Sequence, residues 1–333
     1  MKILGLSYGA NSTAALMING EVISCASEER FGTAGQRVKN DMRFPLQAIE
    51  YCLKEGGIDS KELDLIAFAS LELPPHYHAI LKFSSFSIDD YIRAQNEIWY
   101  PRLYQNKPVK WVDVFKDKLN FDQWPHDIWD KIPYETQEAW PVFKELLHDR
   151  ISQKYGVSRD KIIHVEHHSG HAYYAYFASP YRNDDCLAIT IDAFGDNISA
   201  TINVIKDNCI KRIMSSPDRE EKKSKNMYLG KLYRYMTLLC GMKPNEHEYK
   251  LMGLAAYAQA VETIMDEQNK VMVKPYNVFK NTMQVDGLEF KYKDVPKDSY
   301  FYFKEKLEGC RFDGIAGGLQ KYVEETLTQW IEN

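Results

Sequence analysis

The chain has 333 residues, 44% hydrophobic and 27% charged, and a formal net charge of −5. That balance excludes a disordered or low-complexity protein, and the lack of a basic excess excludes bulk nucleic-acid binding. A chain of this length buries roughly three quarters of its surface without a disulfide staple. Its six cysteines are scattered with no CxxC pair, which points to free thiols in a reducing cytoplasm. No apolar run is long enough to span a bilayer, and the polar residues Ser7 to Thr13 break the N-terminal stretch, so neither a membrane span nor a signal peptide is expected.

Residues 3–7 (ILGLS) read as a strand, followed by a turn at Tyr8-Gly9-Ala10-Asn11 and a second strand over Thr13–Ile18. Asn19-Gly20 is a hairpin turn, because both residues tolerate positive φ, and a third strand follows over Glu21–Ala26. Leu46–Lys54 has helical spacing and stops at Gly56-Gly57. Leu63–Ala69 is a buried strand. Residues 71–150 are rich in aromatics, Trp99, Trp111, Trp124, Trp129 and Trp140 among them. Their helical pattern predicts an inserted cap, most of whose aromatics form core.

Lys161–Val165 is a short strand leading into HVEHHSGHAYYAYFASPY, residues 164–181. That stretch holds four of the nine histidines. His167 and His171 are four apart; on a helix this puts both imidazoles on one face, about 6 Å apart at Cβ, as two ligands of one metal require. Imidazole is the commonest protein metal ligand, and a third ligand must come from elsewhere in the chain.

Residues 186–192 (CLAITID) read as a central strand. A turn at Ala193 to Asn197 follows, then strands over Ser199–Ile205 and Cys209–Met214 joined at Asp207-Asn208. Residues 215–226 are a charged loop. Leu229 to Leu239 is a helix, and a polar cluster with His247, Glu248 and Lys250 enters a further one, placing these side chains at a cleft. Residues 260–312 carry no clear pattern, and Gly314–Trp330 is an amphipathic helix.

The start of the chain is thus repeated. In each copy an apolar strand enters a glycine turn, returns through a small-residue strand and turns again. This predicts a duplicated α/β fold of the actin-like (ASKHA, tRNA threonylcarbamoyltransferase-like) kind, whose two glycine turns offer backbone N–H groups to nucleotide phosphates. The first lobe is expected over 1–182 with its aromatic-rich helical insertion, and the second over 183–333.

Five stretches carry a family likeness: ILGLSYGANSTAAL with its hairpin and SEERF; RVKND followed by FPLQAIEYCL; HHSGHAYYAYFAS; TIDAFGDNISA; and YLGKLYRYMTLLCGMKPNEHEYKLMGLAAY. In these the chain resembles the carbamoyltransferases of the nodulation-protein-U type, the antibiotic O-carbamoyltransferases. The resemblance implies that ATP and carbamoyl phosphate yield carbamoyl adenylate, from which the carbamoyl group passes to a hydroxyl or amine of a small-molecule acceptor. It implies a divalent metal, Fe2+ first, with Mg2+ and Zn2+ as alternatives, on His167 and His171 with Asp192 as third ligand. Gly195, Asp196 and Asn197, and Asn11 in the first turn, would lie against the nucleotide. Lys39 and Lys250 would neutralise phosphate or bind the acceptor, with Glu248 beside them.

The sequence departs from that family in two places. The first glycine turn has Ala10 and Asn11 where the family has a His-Asp pair, so the general base must come from elsewhere; His168 is the candidate, and with Asp196 it completes the catalytic set. The sequence also ends before the family's GGVxLN-like segment and YrdC-like domain. The second lobe is therefore expected to be incomplete, and a C-terminal half or YrdC-like partner protein to be required. A homodimer is compatible with this reading. Two alternatives are a metal-dependent hydrolase, for which no HxHxDH or HExxH pattern is present, and a non-catalytic actin-like subunit that binds a ligand or partner.

Overall fold

The computed structural model describes residues 1–9, 11–32, 41–72, 86–118, 139–216, 229–262, 270–293 and 295–333. Ala10, Lys39 and most of the predicted loop 215–226 lie outside the described residues, as do Trp124 and Trp129. The chain forms two compact units, one of Met1–Phe86 with Asn96–His167, the other of Ser87–Gln95 with His168–Asn333. Among the described residues no helix is long and apolar enough to cross a membrane.

The first unit is built on a mixed sheet. Strands β1 (Lys2–Ser7), β2 (Thr13–Ile18) and β3 (Glu21–Ser27) form an antiparallel meander. Asn19 and Gly20 turn it with φ of 52° and 88°, as the Asn-Gly pair requires. Helix α1 (Leu46–Glu55) leads to β4 (Leu65–Phe68), which lies parallel to β1, and β5 (Ile162–His164) lies parallel to β4. The order is β3-β2-β1-β4-β5. Period-two alternation sends Leu4 and Leu6 of β1, Ala14 and Leu16 of β2, and Ile66 and Phe68 of β4 into one core, against Ala48, Ile49 and Cys52 of α1. Each such Leu, Ile or Phe contributes about 1.5–3 kcal/mol.

The SEERF stretch has a structural role here. Pro45 cannot cap α1 with its side chain, and the buried Glu28 does so instead. Its carboxylate accepts hydrogen bonds from Gln47 N (3.2 Å) and Ala48 N (2.9 Å), placing negative charge at the positive end of the helix. Asp41, from RVKND, is also buried. Arg43 donates to it from Nε and Nη2, and its own carbonyl accepts from Ser12 N (2.7 Å), tying this segment to the first glycine turn.

The inserted region contributes α2 (Ile88–Ala94), which groups with the second unit, and α3 (Tyr100–Tyr104), α4 (Trp111–Val114) and α5 (Ala139–Tyr155), which group with the first. Its aromatics pack on one another as core: Trp111 stacks on Phe115 at 5.7 Å, Phe115 lies 4.6 Å from Phe86, and Trp99 stands edge-on to Trp111.

The second unit repeats the meander. Strands β6 (Cys186–Gly195), β7 (Ile198–Lys206) and β8 (Cys209–Ser216) pair antiparallel in that order. The turns are the residue pairs Asp196-Asn197 (φ 50° and 65°) and Asp207-Asn208 (φ 51° and 58°). The histidine helix, α6 (His167–Phe177), packs on this sheet through its stripe of His168, Ala172 and Tyr176, against Ala188 and Ile205. That packing moves the boundary from the expected 182/183 to 167/168. His164 is not on this helix; it ends β5.

Across the other face of the sheet lie α7 (Leu229–Leu239), α8 (Glu248–Glu262), α9 (Val273–Thr282), a hairpin of β9 (Met283–Asp286) and β10 (Glu289–Tyr292), α10 (Ser299–Lys306) and α11 (Phe312–Glu332). Residues 260–312, which show no pattern in sequence, supply α9, the hairpin and α10. Gly317 and Gly318 sit inside α11; a Cβ on Gly318 would stand 2.7 Å from Tyr276 N, so only glycine lets α9 lie this close. Both units thus carry the repeated strand–turn–strand plan of the actin-like α/β fold. Among the described residues the first has five strands in its sheet and the second has three.

A pair of imidazoles, His148 buried and His164 half-buried, ties α5 to the end of β5. His164 Nδ1–H donates to Ser70 O (2.8 Å), which leaves its Nε2 to accept from His148 Nε2–H at 2.9 Å. Burial, with the neighbouring His164 as a smaller cause, pushes the His148 pKa down from 6.5 to about 4. The unfolded chain therefore binds this proton more readily, and stability falls as pH drops from about 6.5 towards 4. We expect wild-type unfolding free energy to fall by up to about 3 kcal/mol across that window. In urea titrations at a series of pH values, His148→Gln should show a shallower slope.

Candidate metal centre

Helix α6 is held along the meander at both ends. At its start His168, with no solvent exposure, donates from Nε2 to the carbonyl of Ile198 (3.0 Å). Its Nδ1 then accepts from Thr190 Oγ1 (2.7 Å), which accepts from Thr201 Oγ1 (2.6 Å), which in turn accepts from Asn203 Nδ2 (2.9 Å). Near the other end, Tyr176 donates to Asn208 Oδ1 (2.7 Å), in the β7–β8 turn. The helix therefore runs from the β6–β7 end of the sheet to the β7–β8 end, with little freedom to rotate.

That fixed rotation turns His167 and His171 toward the end of β6. There the β6–β7 pairing is irregular between Ile191 and Gly195, and Asp192 stands in the irregular stretch. One ligand atom from each of His167, His171 and Asp192 lies within 4.8 Å of the others, the sole such group of three among the described residues. His171 Nε2 is 3.8 Å from Asp192 Oδ2. Asp192 Oδ1 accepts from its neighbour Ala193 N (2.6 Å), which orients the carboxylate and leaves Oδ2 facing the histidines. Ligand atoms around one ion at 2.0–2.2 Å are about 3–3.5 Å apart, so small side-chain rotations bring this triad to coordination distance. Two imidazoles and a carboxylate on one side of an open position suit a divalent transition metal.

The other sequence candidates separate. His168 adjoins His167 in sequence but is turned about 100° from it around α6, toward the sheet, its ring 5.9 Å from that of His171, and is buried with both nitrogens engaged. This corrects its expected role as general base: it is a positioning residue. Gly195 does not belong to the turn; it is the last residue of β6, paired with Ile198, and Asp196 and Asn197 alone make the reversal. Asp196 is 4% exposed, whereas its turn partner Asn197 is exposed. Asn11 occupies the first glycine turn at φ 55°, its carbonyl accepting from Thr13 Oγ1. Glu248 is committed to the turn before α8, where it accepts from Asn245 N (2.6 Å). Lys250 is exposed on α8, its ammonium 5.8 Å from the Tyr249 ring. Lys39 lies outside the described residues.

One residue near the site was missed. α7 begins against the irregular stretch of β6, where a Cβ on Gly230 would stand 2.5 Å from Ala193 Cα. The next residue, Lys231, is a lysine whose pKa is pushed down to about 8 by burial, with Arg234 as a smaller cause. Gly230-Lys231 at the head of an amphipathic helix was the available signal; its burial was not readable from spacing.

The sequence profile of the family described as "Carbamoyltransferase N-terminus" matches residues 2–332. An uncharacterized protein of Synechocystis is 29% identical over 98% of this chain and 44% of its own length. An uncharacterized protein of Methanocaldococcus jannaschii is 24% identical over 99% of this chain and 54% of its own. The nodulation protein NolNO of Sinorhizobium fredii is 25% identical over 74% of this chain and 28% of its own. The chain spans about half the length of the first two of these relatives. Among solved structures, YeaZ from Pseudomonas aeruginosa covers 66% of this chain and 68% of its own at 11% identity and a TM-score of 0.29. A Ppx/GppA protein of Aquifex aeolicus covers 97% and 91% at 14% identity and a TM-score of 0.24. Strand order and polarity, rather than these loose superpositions, carry the actin-like reading.

The Gly230 contact yields a test that leaves all three ligands untouched. Gly230→Ala must push α7 away from Ala193 and is expected to cost about 1–3 kcal/mol in urea unfolding. Divalent-metal affinity should fall with it, because Asp192 sits on the displaced stretch.

Proposed function

The chain belongs to the carbamoyltransferase N-terminal family, and on that premise we propose that it supplies the metal-holding and acceptor-side part of an ATP-dependent carbamoyl transfer. In this reading carbamoyl phosphate and ATP give carbamoyl adenylate, and the carbamoyl group then passes to a hydroxyl or amine of a small-molecule acceptor. The observation that carries it is the convergence of His167, His171 and Asp192 in a chain of this family. Two imidazoles favour Fe2+ or Zn2+ over Mg2+, which prefers all-oxygen surroundings. Such an ion, when bound, would hold phosphate oxygens and polarise the carbamoyl carbonyl.

The chain's own residues have separable tasks. His168, through Thr190 and Ile198, sets the rotation of α6 and so the direction of both ligating imidazoles. Ala193 N–H orients Asp192. Lys231, at the head of α7, is the candidate to neutralise phosphate, and Asn197, exposed beside the buried Asp196, is the candidate to meet the nucleotide beyond the end of β6.

A further polypeptide is part of the proposal, either a C-terminal half or a YrdC-like partner. The sheet edges support it. β1 pairs with β2 on one side and β4 on the other, whereas β6, its counterpart in the repeat, pairs with β7 alone among the described residues. Leu187 on β6 is 59% exposed. An added parallel strand there would pair the edge backbone groups.

The test pairs metal content with turnover. Wild type, His167→Ala and His171→Ala would be purified and their metal measured by mass spectrometry. Radiolabelled carbamoyl phosphate and ATP would be supplied with the C-terminal part of a longer relative. Metal lost in both variants, with transfer only by wild type and only with the added polypeptide, is expected. Equal metal in all three proteins would remove the site from the reading, and retained metal without transfer would favour a non-catalytic ligand-binding subunit.

Lys231 adds a pH signature. Its ammonium deprotonates as pH rises through about 8, so wild-type ATP affinity should fall roughly tenfold between neutral pH and well above that value, about 1.4 kcal/mol. Lys231→Arg stays charged and should flatten the profile. An unchanged profile would remove Lys231 from phosphate binding.

A further inference from the structure

A cleft of about 560 Å³ opens between α9 and α10, in a region that none of the motifs above touches. Its volume lies in the range of small-molecule sites. Helix α9 buries Pro275, Phe279 and Thr282 on one side. Lys274, Asn277 and Asn281, at i, i+3 and i+7, form a polar line along the cleft side, with Lys270 just ahead of the helix. Lys306 of α10 faces them.

The lining has three ammonium groups and no carboxylate. Lys274 donates to the carbonyl of Glu308 (2.9 Å), which leaves it two N–H donors. Lys306 is 4.0 Å from the exposed Glu305, a distance at which solvent weakens the pair. Because salt screens charge beyond about 8 Å, an ion here meets these local cations rather than the net charge of the chain. The carboxamides of Asn277 and Asn281 make no hydrogen bond with the described residues, and each offers a donor and an acceptor. Thr282 Oγ1 donates to Val278 O, so Tyr302 donates its hydroxyl proton to Thr282 (3.0 Å) and leaves an oxygen lone pair toward the cleft.

We propose that this cleft binds a phosphorylated sugar, free or within a nucleotide, its phosphate among Lys270, Lys274 and Lys306 and its hydroxyls on Asn277 and Asn281. Ammonium groups answer the phosphate charge, while paired carboxamides fit vicinal hydroxyls, which both give and take hydrogen bonds. The site is separate from the metal centre and does not depend on the transferase reading.

Calorimetric titration would use the full chain carrying His167→Ala and His171→Ala, so that binding at the metal centre does not contribute. Ribose 5-phosphate, inorganic pyrophosphate and ribose are the probes. Ribose 5-phosphate should saturate at one per chain, and ribose alone should not bind. Lys274→Gln with Lys306→Gln should weaken both phosphate probes by about tenfold or more. Asn277→Ala with Asn281→Ala should weaken ribose 5-phosphate severalfold and leave pyrophosphate unchanged. All four positions are on or near the surface, and thermal melts would verify that the variants fold. Absence of saturable ribose 5-phosphate binding, or binding unmoved by either pair of substitutions, would overturn the proposal. An equal effect of the Asn pair on both probes would overturn the sugar assignment.

Discussion

The hydrogen-bond chain from Asn203 through Thr201 and Thr190 to His168 is buried throughout, and its direction is set by the Ile198 carbonyl, which can only accept. Once Nε2 carries the proton, each hydroxyl along the chain has one orientation left. Buried polar groups are costly to leave unpaired, so the chain tolerates little rotation of α6 about its axis. That constraint places two imidazoles at the end of β6 and points the Tyr173, Tyr174 and Phe177 side of the helix into solvent. The candidate centre is thus a surface feature held by an interior one.

The irregularity in β6 is the second requirement. In a regular strand Asp192 would continue the alternation of Thr190, whose side chain faces α6 from within the sheet. Breaking the pairing between Ile191 and Gly195 releases the carboxylate from the ladder and lets its own neighbour's N–H orient it. The break is supported from outside by α7, which can begin there only because Gly230 has no Cβ. Helix, strand irregularity and close approach therefore form one assembly in which no part keeps its geometry alone.

The same economy of contact recurs away from the site. Glu28 supplies the cap that Pro45 cannot, Asp41 and Arg43 tie a distant segment to the first turn, and glycines in α11 admit α9. Glu28 and Asp41 lie within family-like motifs, yet they serve the frame rather than the chemistry. A charged residue in a recognisable string is therefore not a functional residue until its partners are known, and Glu248, spent on the turn before α8, makes the point inside the site's own motif.

What the amino-acid order determined alone was local. Asn19-Gly20 and Asp207-Asn208 turn hairpins because positive φ is a property of those residues; Leu229–Leu239 matches its helix because period and boundary are both short-range; and His167 with His171 share a face because four residues make about one turn. Tertiary structure alone decided which histidine is buried. His167 and His168 are separated by about 100° around the helix, and nothing nearby in sequence says which side the sheet takes. It also decided that Asp192 leaves the ladder, that Lys231 is drawn inward, and that residues without periodicity between 260 and 312 enclose a basic cleft. Each depends on contacts between segments far apart in the chain, and short-range preferences carry no record of those contacts.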